Sequence, residues 1–116
     1  MKKPDRIIVQ KIGKYCQDIL RFTNGIDFDE FVSNEEKNYA CVFAISQIGE
    51  IVNASSDEFK EMYSTKPWRE MVAVRNRIVH NYGGVKMGII WEVIGHNIPD
   101  LLAYTEEILD KMETLE

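Results

Sequence analysis

Between Arg69 and Val85 the chain reads REMVAVRNRIVHNYGGV, a stretch whose polar side chains could do phosphate chemistry. Arg75 carries a planar guanidinium that can meet two anionic oxygens at once. His80 carries an imidazole, and because that group's unperturbed pKa is roughly 6.5 it can both take and give a proton near neutral pH. Asn76 follows the arginine directly, and Arg77 is a further candidate cation for phosphate binding or a residue of a solvated face. Tyr82 presents a phenol beside Gly83 and Gly84, a pair that ends a helix and leaves a pliable turn.

These groups need an element to hold them, and the spacing predicts a helix from Thr65 and Pro67 up to the glycine pair. At 100° per residue, Trp68, Met71, Val72, Val74, Ile78, Val79 and Tyr82 share an apolar arc about 160° wide. Arg75 falls inside that arc, about 20° from Tyr82, whereas Asn76, Arg77 and His80 lie on the polar side. A guanidinium on an apolar face keeps its charge, so its burial is costly unless it is paired. One reading gives Arg75 a carboxylate on a neighbouring helix, with Glu50 of SQIGEIV the obvious candidate. The other places it at a wet cleft or subunit interface, where it meets an anion. His80, likewise, is either an exposed residue favoured by the helix C-terminus or a titrating group of a site. Arg75 and His80 stand about 140° apart on one ideal helix, which hinders their meeting on one small target. Two copies related by a twofold axis would bring two such helix ends to one groove.

The rest of the chain is helical in pattern too, with no strand alternation and no internal repeat. A first helix is expected from about Pro4 to Arg21, stopped by Asn24-Gly25. Ser33 with Glu36 forms a capping-box pattern and opens a second long helix to about Ala54. SSDEFKEMY predicts a short helical turn capped by Ser55 or Ser56. The last helix spans MGIIWEVIGHNIPDLLAYTEEILDKMETL, kinked or split at Pro99, whose nitrogen cannot donate to the Gly95 carbonyl. The expectation is an all-α bundle of about four main helices, residues 1–116 forming a single domain.

Composition narrows the function classes. No apolar run approaches the roughly 20 residues of a membrane span, and the N-terminus does not read as a signal peptide. Cys16 and Cys41 without a paired spacing read as reduced thiols, so a cytoplasmic location is expected. Residues 66–86 hold five cations against Glu70 alone, a local +4, so the remainder of a chain with net charge −5 carries −9. A basic island on an acidic protein suits one local anionic partner rather than non-specific nucleic-acid binding, and no DNA binding is expected. His80 and His96 are the only histidines, and neither HExxH nor paired cysteines occur, so no metal is expected. YGGVKMG lacks the preceding strand and the Lys-Ser/Thr pair of a phosphate loop, and no GxSxG elbow occurs.

Arg75, four residues, His80, one residue and Tyr82 spell R-x4-H-x-Y, and this resembles the signature of the HEPN superfamily. The likeness is to its HepT-like toxins, which are paired with a minimal nucleotidyltransferase (MNT) antitoxin. AISQIGEIVNAS, PWREMVAVRNRIVHNYGGV and IIWEVIGHNIPDLL follow that family's order, so the resemblance covers roughly residues 38–109. It implies an all-α HEPN fold acting as a homodimer with a composite site at the dimer cleft. It further implies a metal-independent endoribonuclease needing no cofactor, the toxin of a type VII-like toxin–antitoxin pair. By position Arg75 and His80 become the catalytic pair, and Asn76 the auxiliary polar residue. Tyr82 matches the tyrosine that the antitoxin modifies with AMP. The alternative within the superfamily is a catalytically inactive module that binds a nucleotide or a partner protein.

Overall fold

Long helices alternate with short ones in a computed structural model that describes residues 3–62, 66–80 and 86–115. They are α1 (Lys3–Thr23), α2 (Phe28–Ser33), α3 (Glu35–Ala54), α4 (Asp57–Met62), α5 (Lys66–His80), α6 (Met87–Glu92) and α7 (Ile98–Leu115). A five-residue π-helical turn, Val93–Asn97, joins α6 to α7. The expected all-α bundle is what the structure contains. Its long members are α1, α3, α5 and α7, and no strand occurs among the described residues.

Each long helix forms where apolar residues recur at helical spacing, and that stripe is what it buries. Val9, Ile12, Cys16 and Ile19 of α1 are fully buried, as are Cys41, Ile45 and Ile48 of α3 and Ile98 and Leu101 of α7. α3 is the central helix, packing against α1 on one side and α5 on another, while α7 lies mainly along α1. Burying one such aliphatic side chain contributes about 1.5–3 kcal/mol, more than the helix propensity differences among residues other than proline. Burial also pushes the Cys16 thiol up to about 12 and the Cys41 thiol up to about 11, the latter eased slightly by Lys37.

The caps differ from the sequence expectation at one end of α3. Ser33 is the last residue of α2, where its hydroxyl donates to the Glu30 carbonyl at 3.2 Å. Asn34 caps α3 instead, its Oδ1 accepting from the Lys37 amide at 3.1 Å. Asparagine and serine cap almost equally well, so a register one residue later costs nothing locally. Tertiary packing then decides: buried Asn38 donates to the Phe31 and Val32 carbonyls and pins α2 across the start of α3. The short helix α4 does start as expected, with Ser56 Oγ accepting from the Phe59 amide at 3.1 Å.

Where the kink or split at Pro99 was expected, the backbone takes a π-helical turn just ahead of the proline. The Ile98 amide bonds the Val93 carbonyl, and Glu92, Val93 and Ile98 all keep right-handed helical dihedrals. Widening the turn is one way for a helix to accommodate a residue without an N–H. It also brings Asn97 to α5, where its Nδ2 donates to Glu70 Oε2 at 2.7 Å.

Candidate active site

α5 is the element that carries every proposed reactive group among the described residues, and α3 is what positions it. The seam between them closes tightly at Gly49. A Cβ placed there would sit 2.3 Å from Arg75 Cβ and 2.8 Å from the Met71 carbonyl oxygen. Only glycine lets the two backbones approach this closely. The approach fixes the root of the Arg75 side chain and aims its stem along α3 rather than into the core.

At the end of that stem Arg75 Nη2 donates to Glu50 Oε2 at 2.6 Å, and Nη1 donates to Asn76 Oδ1 at 3.1 Å. The expected carboxylate partner is therefore Glu50. The pair is not a sealed one, since the arginine side chain is 25% exposed and the glutamate 48%. The apolar-arc position of Arg75 is thus reconciled with its charge: the methylenes pack on the Gly49 groove while the guanidinium reaches the edge of the seam. A guanidinium has donors to spare. With one hydrogen on each Nη engaged, its second Nη hydrogens and Nε–H remain available to an incoming anion.

His80 is the last residue of α5 and is exposed. Arg77 and Asn76 are exposed too, and Arg77 makes no ion pair among the described residues. Lys66 pairs with Glu70 at 3.5 Å, so the one carboxylate of the basic island is turned towards Lys66 and Asn97, not towards Arg75. Tyr82, with Gly83 and Gly84, lies outside the described residues. No cluster of three or more metal-ligating side chains occurs among the described residues.

A further feature borders this edge. Tyr39, Phe43 and Glu50 fall on one line of α3, opposite its buried Cys41–Ile45–Ile48–Val52 stripe. Tyr39 and Phe43 are 66% and 58% exposed, and Val79 of α5 is 47% exposed. Gly49 lies opposite Met71 and Arg75, while Asn53 shares a cavity with Trp68, Arg69 and Val72. The two helices therefore run antiparallel, which puts Phe43 at about the level of Val79 and His80. An apolar strip thus lies next to the Arg75–Glu50 pair and the end of α5. Sequence reasoning missed both Gly49 and this strip. A glycine inside a long helical pattern, in SQIGEIV, was the available signal for the first.

Residues 12–108 match the family described as ribonuclease HepT-like. The chain belongs to the HepT-like ribonuclease family. Among HepT-like relatives, a protein named "Putative RNase" from Caldanaerobacter subterraneus subsp. tengcongensis is 37% identical, over 96% of this chain and 98% of its own length. Another of that name, from Methanocaldococcus jannaschii, is 31% identical over 97% and 93%. A "Probable ribonuclease HepT" from Thermococcus cleftensis is 29% identical over 93% and 98%. No solved structure matches the chain. No helix of the described HepT-like chain is long and apolar enough to cross a membrane.

Proposed function

We propose that this HepT-like chain is a metal-independent endoribonuclease whose active site is completed by a second copy of itself. The observation that carries the proposal is the placement of Arg75. Its guanidinium is held at the rim of the α3–α5 seam by Glu50 and Asn76, one turn and a half before the exposed His80, in a chain of a ribonuclease family. In the reaction the RNA 2′-hydroxyl attacks the adjacent phosphorus and the 5′-oxygen leaves, giving a 2′,3′-cyclic phosphate and a free 5′-hydroxyl. His80 takes the hydroxyl proton or protonates the leaving oxygen, and Arg75 binds the phosphoryl oxygens as negative charge builds on them. Asn76 steadies the guanidinium, and Arg77 offers a neighbouring phosphate contact. One histidine serves one proton transfer well, so two subunits facing each other across a twofold axis supply the pair of groups that the reaction needs. The exposed Tyr39, Phe43 and Val79 support that assembly, because a monomer gains nothing from leaving them in water.

The same reading makes the protein the cytoplasmic toxin of a type VII-like pair, with residues 1–116 as its one HepT-like domain. A nucleotidyltransferase antitoxin of the MNT type silences it by adding AMP to Tyr82. A phosphate attached there competes with RNA for Arg75 by charge and by the same forked geometry. The rival reading, an inactive module that binds a nucleotide or partner, has one observation on its side: Glu50 already occupies part of the Arg75 fork.

The test is RNA cleavage by the purified protein with and without chelator. Cleavage should persist in chelator and fall about 10²-fold or more in Arg75→Ala and in His80→Ala, with circular dichroism unchanged. A mixture of the two inactive variants should recover part of the activity if opposite subunits contribute. Cleavage by either variant at the parent rate would remove that residue from the mechanism, and an inactive parent would favour the rival reading. With the antitoxin, ATP and Mg²⁺, intact mass should show AMP on the parent and none on Tyr82→Phe.

A further inference from the structure

Towards the opposite end of α5 from His80, the start of that helix, α4 and the end of α3 border a half-open cavity of about 310 Å³. It lies outside the candidate active site and shares none of its residues. Phe59, Trp68 and Val72 supply apolar wall, with the Phe59 and Trp68 rings 5.9 Å apart. The polar members of the lining are Asn53, Lys60 and Arg69, an amide and two cations. Among the described residues no carboxylate lines it. Neither Lys60 nor Arg69 makes an ion pair among the described residues, although carboxylates outnumber basic residues in the chain. The indole N–H of Trp68 is buried and has no hydrogen-bond partner among the described residues, a rare state for a buried donor.

We propose that this cavity binds a small aromatic acid, a body of one or two fused rings bearing a single carboxylate or phosphate. The apolar wall takes the rings, and Lys60 and Arg69 take the charge at the rim, where an anion keeps part of its hydration. The volume stands at the bottom of the range that ligand pockets span, which suits a compact ligand of one or two rings. Specificity for an anion comes from short-range pairing, because the field of the acidic protein as a whole repels negative ligands. The amide of Asn53 gives a second, uncharged hydrogen-bonding group for the acid.

The chain provides its own reporter. Trp68 and Trp91 are the only tryptophans, and Trp91 packs on Phe31 with ring centroids 5.0 Å apart, away from this cavity. In a ¹⁵N-labelled full-length sample the two indole N–H signals are assigned with Trp91→Phe. Indole-3-acetate is then titrated to about 10 mM, in parallel with neutral indole-3-acetamide. The expected result is a saturable shift of the Trp68 signal with the acid, with a dissociation constant on the order of 1 mM or tighter. The Trp91 signal should stay in place. The acetamide, and the acid with Lys60→Gln/Arg69→Gln, should each bind roughly fivefold more weakly. An unmoved Trp91 signal in the double variant shows that it remains folded. No saturable Trp68 shift overturns the proposal. So does an equal response to the amide, or an unaltered affinity in the double variant, because either outcome leaves only an apolar cleft.

Discussion

Arg75 shows how one side chain can satisfy two demands that a helical wheel sets against each other. Its stem lies in the α3–α5 seam and its charge is answered by Glu50 at 2.6 Å, in a pair that stays half in water. Such partly exposed pairs contribute about 0–1 kcal/mol, so Glu50 neither anchors the fold nor locks the arginine away. It does compete with any phosphate for the same fork. Glu50→Gln should therefore leave the melting temperature nearly unchanged and tighten RNA binding up to about fivefold at low salt, read as KM or by filter binding. A tenfold weakening of RNA binding would show that Glu50 instead orients Arg75 for substrate.

Among elements, the α3–α5 seam matters most, and Gly49 sets its spacing. A methyl group at that position meets Arg75 Cβ at 2.3 Å and backbone at 2.8 Å, neither of which is a flexible side-chain tip. Helix propensity would favour alanine by about 1 kcal/mol, but forced separation of the helices costs about 1–3 kcal/mol and displaces the root of Arg75. Gly49→Ala should thus lower the thermal midpoint and reduce RNA cleavage more than it reduces helicity. An alanine variant as stable as the parent would mean that the seam can open freely. Gly13 is a milder case on α1, where a Cβ would come 3.2 Å from the Thr105 hydroxyl of α7, an atom that can give way slightly.

At the scale of the molecule, the exposed strip of Tyr39, Phe43 and Val79 predicts self-association. Phe43→Asp combined with Tyr39→Asp should yield a folded monomer by light scattering that has lost RNA cleavage. An unchanged particle mass would place the interface elsewhere. The buried thiols make a second global prediction. Cys16 and Cys41 have pKa values raised by burial to about 12 and about 11. A raised folded-state value means that their contribution to stability is complete below the ordinary thiol pKa of about 9 and is lost as pH climbs through the raised values. Neither thiol should react with a maleimide at pH 7.5, both should react in guanidinium, and urea midpoints should fall between about pH 9 and 12. Rapid labelling of the native protein would contradict their burial.

The helical class and the long helices were legible in the sequence because they rest on local periodicity, whereas the R-x4-H-x-Y element stood out by its resemblance to a family signature. The helices are set by the 3.6-residue repeat, and no knowledge of neighbours is needed to see them. Glu50 could be named as a candidate partner for Arg75 because a charge on an apolar arc demands an answer, and SQIGEIV offers a carboxylate on the neighbouring long helix. Contacts without such a charge to betray them were not legible. Asn34 displaced Ser33 as the cap because Asn38 ties α2 across α3, a bond between residues that no local pattern relates. Gly49 looked like a weak point in a helix until α5 was laid against it. The exposed line of Tyr39 and Phe43 was hidden in a helix that is apolar on both of its sides. Which side is core depends on where α1 and α5 pack, and only the tertiary structure decides that.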